Sequence, residues 1–127
     1  MPIENVKIII VEDDPAIAEV IRDIFETFVN RKVLTFGTAD DAWEHIKSNQ
    51  VHLIISDIDM PGKMDGLGLL EKAKKEFPEI IFIIMTGNIM PAREKQAEAL
   101  GANVFLKKPF GIQDFITIVK KFITEEI

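Results

Sequence analysis

Without a single cysteine in 127 residues, the chain can form no disulfide, bind no metal through thiolate and use no thiol nucleophile. That absence fits a reducing compartment. An excess of positive charge is missing too. Lys and Arg total 15 against 21 Asp and Glu, a formal net charge of −6. This balance lacks the basic footprint of a nucleic-acid-binding domain, so no direct nucleic-acid binding is expected. Long apolar runs are also absent. Stretches such as Ile8 to Val11 and Ile80 to Met85 are strand-sized, far short of the roughly 20 residues of a membrane span. The opening Met-Pro-Ile-Glu-Asn-Val-Lys has no apolar stretch of signal-peptide length. A soluble, cytoplasmic protein without membrane contact is expected. Histidine is scarce, and neither His45 nor His52 has partners at metal-ligand spacing, so both read as structural or surface residues.

What is present is an ordinary globular composition, 47% hydrophobic and 28% charged, with the length of one compact domain spanning 1–127. No repeat or linker interrupts it. Short apolar runs alternate with longer amphipathic stretches. Val6 to Val11 reads as a buried strand, followed by Ile17, Val20, Ile21, Ile24, Phe25 and Phe28 on one helical face. Asp14-Pro15 supplies that helix with an N-cap and a first-turn proline. Lys32 to Phe36 is a second strand, and Thr38 caps a helix with Ala39, Ala42, Trp43 and Ile46 inward. Val51 to Ser56, Ile80 to Met85 and Asn103 to Leu106 are further strands. Helices follow them from about Gly66 to Phe77, from about Pro91 to Leu100, and through Ile112, Phe115, Ile116, Val119, Phe122 and Ile123. The Pro91 helix is weakly apolar, with Ala92, Ala97 and Leu100 as its buried candidates, and should be loosely held.

Five strand–helix units with doubly apolar strands predict an α/β fold, a doubly wound parallel sheet covered on both faces. Ligands in such folds sit beyond the carboxyl ends of the strands. Those ends carry Glu12-Asp13-Asp14, Asp57 with Asp59, Thr86-Gly87-Asn88 and Lys107-Lys108-Pro109. Several carboxylates, a hydroxyl and an ammonium are thereby gathered at one edge. Two carboxylates ~4 Å apart repel by about 4 kcal/mol at an effective dielectric of ~20, and a hard divalent cation relieves that repulsion. Magnesium takes oxygen ligands and often sits beside a phosphoryl group. Lys108 suits a phosphoryl oxygen, Thr86 can donate to another, and a carboxylate beside a metal can act as a nucleophile.

Val-Glu-Asp-Asp-Pro at 11–15, Ser-Asp-Ile-Asp-Met-Pro-Gly at 56–62, Met-Thr-Gly at 85–87 and Phe-Leu-Lys-Lys-Pro-Phe at 105–110 resemble the response-regulator receiver domain. The resemblance extends over the whole chain, with four motifs in order, each at a strand end. It implies a flavodoxin-like (βα)5 fold with strand order 2-1-3-4-5. Asp57 is then the phosphoacceptor. Asp13 ligates Mg2+ or Mn2+ directly, Glu12 through water, and Asp59 by its backbone carbonyl. Lys108 pairs with the phosphoryl group. Thr86 is the switch hydroxyl, Phe105 the switch aromatic, and the Lys108-Pro109 bond is cis. The implied donor is a sensor histidine kinase or histidine phosphotransfer protein, and the implied output an unspecified protein target. Such a domain is a signalling switch that assists its own phosphorylation and dephosphorylation, not an enzyme with an external substrate. One departure stands out: Asp57 to Asp65-Gly66 takes eight steps where the family pattern has one fewer.

Two other readings share these residues. Asp57-Ile58-Asp59 after an apolar strand also resembles the DxD motif of haloacid-dehalogenase-type phosphatases. Those enzymes place it early and carry an acidic motif after the lysine, which is missing after Lys108. A pure interaction module would have lost one of Asp13, Asp57, Thr86 or Lys108, yet all four are present.

Overall fold

The computed structural model describes residues 6–87 and 90–123. Five strands, β1 (Ile8–Val11), β2 (Leu34–Phe36), β3 (Leu53–Asp57), β4 (Ile81–Thr86) and β5 (Val104–Lys107), alternate with five α-helices. These are α1 (Pro15–Ile24), α2 (Ala39–Ser48), α3 (Gly66–Glu76), α4 (Pro91–Ala99) and α5 (Ile112–Lys121). The strands form one parallel sheet in the order β2-β1-β3-β4-β5, the predicted flavodoxin-like topology.

Side chains alternate across a strand, so each apolar run feeds both faces of the sheet. Ile8, Ile10, Leu53, Ile55, Ile83 and Met85 pack with Ile21, Ile24, Phe25, Phe115 and Val119 of the α1 and α5 layer. Ile9, Val11, Ile54, Phe82 and Ile84 pack with Trp43, Ile46, Leu69, Leu70 and Ala97 of the α2, α3 and α4 layer. The central strands β1, β3 and β4 are buried at every position. β2 is not: it lies at the sheet edge, begins at Leu34 rather than Lys32, and leaves Leu34 exposed.

The caps follow the sequence. Asp14 accepts from the Ala16 N–H at 2.9 Å, Thr38 from Asp41 at 3.1 Å and Asp65 from Gly68 at 2.9 Å. Three apolar residues expected inside are outside. Val20 is 55% exposed, Phe28 54% and Ile112 54%. Val20 lies off the stripe formed by Ala18, Ile21 and Ile24. Past Ile24 the helix widens into a π-helical stretch, Phe25–Val29, closed by Asn30 in the left-handed conformation. A π turn takes more residues per revolution than an α turn. Val29 therefore rotates onto the core stripe and Phe28 leaves it. Ile112 is the first residue of α5, beyond the end of β5. In α4 only Ala97 is buried; Leu100 is partly covered and Ala92 is exposed. Among the described residues, no helix is long and apolar enough to cross a membrane.

Candidate phosphorylation site

Asp57 is the last residue of β3, the central strand of the sheet, paired with Met85 on β4. Its residue surface is 8% exposed, so the carboxylate is largely withdrawn from solvent. Its backbone is held from several sides. The Ser56 hydroxyl donates to the Asp57 carbonyl at 2.9 Å. The Ile58 N–H donates to Met85 at 3.1 Å and the Gly66 N–H to Ile58 at 2.9 Å. Gly66 sits so close that a Cβ there would collide with the Asp57 carbonyl oxygen. The start of α3 thus buttresses the end of β3.

Glu12 and Asp13 follow β1 directly, with the Glu12 N–H donating to Phe36 at 3.0 Å. Glu12, Asp13 and Asp57 each offer an oxygen within 4.8 Å of the others. Lys108, just past β5, places Nζ 2.6 Å from Asp57 Oδ2 and 3.5 Å from Glu12 Oε1. Its own N–H donates to the Thr86 carbonyl at 2.8 Å, and the Lys108-Pro109 bond is cis. The sheet has therefore carried residues 12, 13, 57 and 108 to one point.

The electrostatics follow from burial. The Glu12 carboxyl is raised to about 7, first by burial, then by its hydrogen bond with Asp57, while Lys108 pulls it the other way. For Lys108, burial lowers the ammonium's pKa, but the hydrogen bond and charge of Asp57, with Glu12 behind it, outweigh that, and the net shift is upward. Glu12 Oε2 is buried and has no hydrogen-bond partner among the described residues. Three convergent carboxylates, one with an unsatisfied oxygen, make a hard all-oxygen donor set that fits a divalent cation.

Thr86 ends β4 and is fully buried. Phe105 lies on β5 opposite Ile84, half-buried against the α2–α4 side of the core. Asp59 is not one of the three converging carboxylates. Its N–H donates to Asp57 Oδ1 at 3.1 Å, while its side chain pairs with Arg93 Nη1 of α4 at 2.7 Å. The longer loop before α3 is accommodated by Gly62 at φ +107°, a conformation suited to glycine. It is tied to α2 where the Lys63 N–H donates to Asp40 Oδ2 at 3.2 Å. Sequence reading missed both Arg93 and Asp40, and no local signal marks either. Their partners stand 34 and 23 positions away. A cavity of about 920 Å³ lies apart from these side chains, between residues such as Lys7, Arg31, Val33 and Asn49.

The family model for the response regulator receiver domain matches residues 8–120. The chain belongs to this family. The receiver is 31% identical over 112 residues to the "Probable chemotaxis protein CheY" of Rhizobium etli, covering 87% of this chain and 86% of that one. It is 27% identical over 125 residues to the response regulator Rre1 of Synechocystis, covering 97% of this chain and 54% of that protein. It matches the DNA-binding transcriptional regulator NtrC of Proteus hauseri at 33% identity over 91% of this chain but only 24% of that one. The receiver thus spans about half or less of several longer relatives. Among solved structures, a CheY-like receiver domain protein from Methanospirillum hungatei superposes with a TM-score of 0.88 at 30% identity, covering 95% of both chains. These matches do not favour the phosphatase reading of the Asp57–Asp59 pair.

Proposed function

We propose that residues 1–127 act as a cytoplasmic receiver that takes a phosphoryl group onto Asp57 from a phosphohistidine, on a sensor histidine kinase or a histidine phosphotransfer protein. The observation that carries this reading is the 2.6 Å contact between Lys108 Nζ and Asp57 Oδ2 beside the converging Glu12 and Asp13 carboxylates. Asp13 and Asp57 would hold magnesium or manganese directly, Glu12 through water, and Asp59 by its backbone carbonyl. Bound there, the cation supplies positive charge that offsets the carboxylates and the transferred phosphoryl oxygens.

The chain's own residues do the rest. An Asp57 carboxylate oxygen attacks phosphorus in line, the O–P bond forms, and the P–N bond to the donor imidazole breaks with its electron pair left on nitrogen. Lys108 exchanges its Asp57 hydrogen bond for one to a phosphoryl oxygen, stabilising charge as it develops. The Thr86 hydroxyl closes on another phosphoryl oxygen, and Phe105 turns into the space behind it. Thr86 ends β4 and Phe105 lies on β5, the two strands that α4 connects, so the changed α4–β5 surface alters binding of a downstream protein. Water later cleaves the acyl phosphate and restores the carboxylate.

Intact mass spectrometry after incubation with acetyl phosphate or phosphoramidate and magnesium tests this. One added phosphoryl group is expected, absent without metal and absent in Asp57→Asn. A wild type that stays unmodified, or an Asp57→Asn variant modified to the same extent, would refute the assignment. Turnover of small phosphate esters would revive the phosphatase alternative.

A further inference from the structure

We propose that Arg93 is a positioning residue for phosphoryl acceptance: it holds and neutralises the Asp59 carboxylate beside Asp57, sparing an incoming anionic phosphodonor one unscreened negative charge. The inference rests on the reading of Asp57 as phosphoacceptor.

Three carboxylates against Lys108 and one divalent cation would only balance, leaving no surplus of positive charge to offset Asp59. Glu12, Asp13 and Asp57 converge within 4.8 Å, and Lys108 Nζ is the cation that contacts two of them. Asp59 is tied to the same point, because its N–H donates to Asp57 Oδ1 at 3.1 Å. Its carboxylate belongs to the residue whose backbone touches Asp57. An unpaired charge there would repel a donor whose transferable group is itself anionic.

Arg93 meets that carboxylate at 2.7 Å. Its side chain is 28% exposed against 55% for Asp59, although it belongs to a helix in which only Ala97 is buried. Core packing therefore does not account for where Arg93 sits; the ion pair does. The next residue, Glu94, lies 3.9 Å from Lys107 Nζ, and Lys107 adjoins Lys108. Successive residues of α4 thus pair with Asp59, just past β3, and with Lys107, at the end of β5.

The bland counterpart is a staple that merely holds α4 in place. The two roles separate in a double-variant cycle. Phosphorylation rates are measured by intact mass with acetyl phosphate, saturating magnesium and low ionic strength. Arg93→Ala should slow the reaction by about threefold to tenfold, the scale of one screened charge contact near a surface. Arg93→Lys, which keeps the charge, should recover most of the rate. Asp59→Asn combined with Arg93→Ala should also recover it, because no carboxylate is left to screen. High salt should shrink the Arg93→Ala defect. A double variant as slow as Arg93→Ala would make Arg93 a staple and overturn the proposal, as would an Arg93→Ala rate equal to wild type. A wild type that takes up no phosphoryl group overturns the proposed function and this inference with it.

Discussion

Replacing Asp13 with Asn should make the metal-free protein more stable and remove most of its stabilisation by magnesium. The oxygens of Glu12, Asp13 and Asp57 lie within 4.8 Å of one another. Two unit charges at that distance repel by about 3.5 kcal/mol at an effective dielectric of ~20 and by about 0.9 kcal/mol in bulk water. Asp13 is exposed, which places it toward the lower figure. Its two neighbours are also partly compensated: Asp57 by Lys108 at 2.6 Å, Glu12 by a pKa raised to about 7. The repulsion that Asp13 feels is therefore about 1–2 kcal/mol, or roughly 3–8 °C in melting temperature for a domain of this size. Thermal unfolding followed by circular dichroism, in EDTA and in millimolar magnesium, reads both effects. Wild type should gain stability with metal, and Asp13→Asn should start higher and gain little. Asp14→Asn is the control. Asp14 caps α1 through the Ala16 N–H at 2.9 Å, and Asn caps equally well, so no increase is expected there. Asp57→Asn should gain less than Asp13→Asn, because it also weakens the charge-assisted bond to Lys108. An Asp13→Asn melting temperature at or below wild type in EDTA would refute the reasoning.

The Glu12 shift predicts a pH dependence for the metal-free protein. Its folded-state value of about 7 exceeds the ordinary 4.5, so between these values the folded state holds a proton that the unfolded state has released. Stability should fall as pH rises from about 4.5 through 7, by up to roughly 3 kcal/mol, and then level off. Urea titrations in EDTA across that range should lose this slope in Glu12→Gln; an unchanged slope would assign it elsewhere. Gly66→Ala should cost at least about 2 kcal/mol, since the added methyl would drive into the Asp57 carbonyl, and under the proposed function should slow phosphorylation by shifting Asp57. A Gly66→Ala protein as stable as wild type in urea would mean that α3 yields freely at its first turn.

The amino-acid sequence by itself determined the element order, the parallel topology, the caps at Asp14 and Thr38, and the residues gathered around Asp57. These were legible because each depends on near neighbours. Alternation along a strand, a capping side chain and a strand-end motif are all short-range patterns, and right-handed crossovers turn a list of strands into a sheet with one functional edge. The tertiary structure decided what depends on distant partners or on a local change of helical pitch. It exposed Val20 and Phe28, through a stripe offset and the π turn at Phe25–Val29, and left β2 short and half-covered at the sheet edge. It also joined Arg93 to Asp59 across 34 positions and Asp40 to the lengthened loop across 23. No periodicity records such pairs, because a side chain's partner across the fold is chosen by packing, where distance along the chain carries no weight.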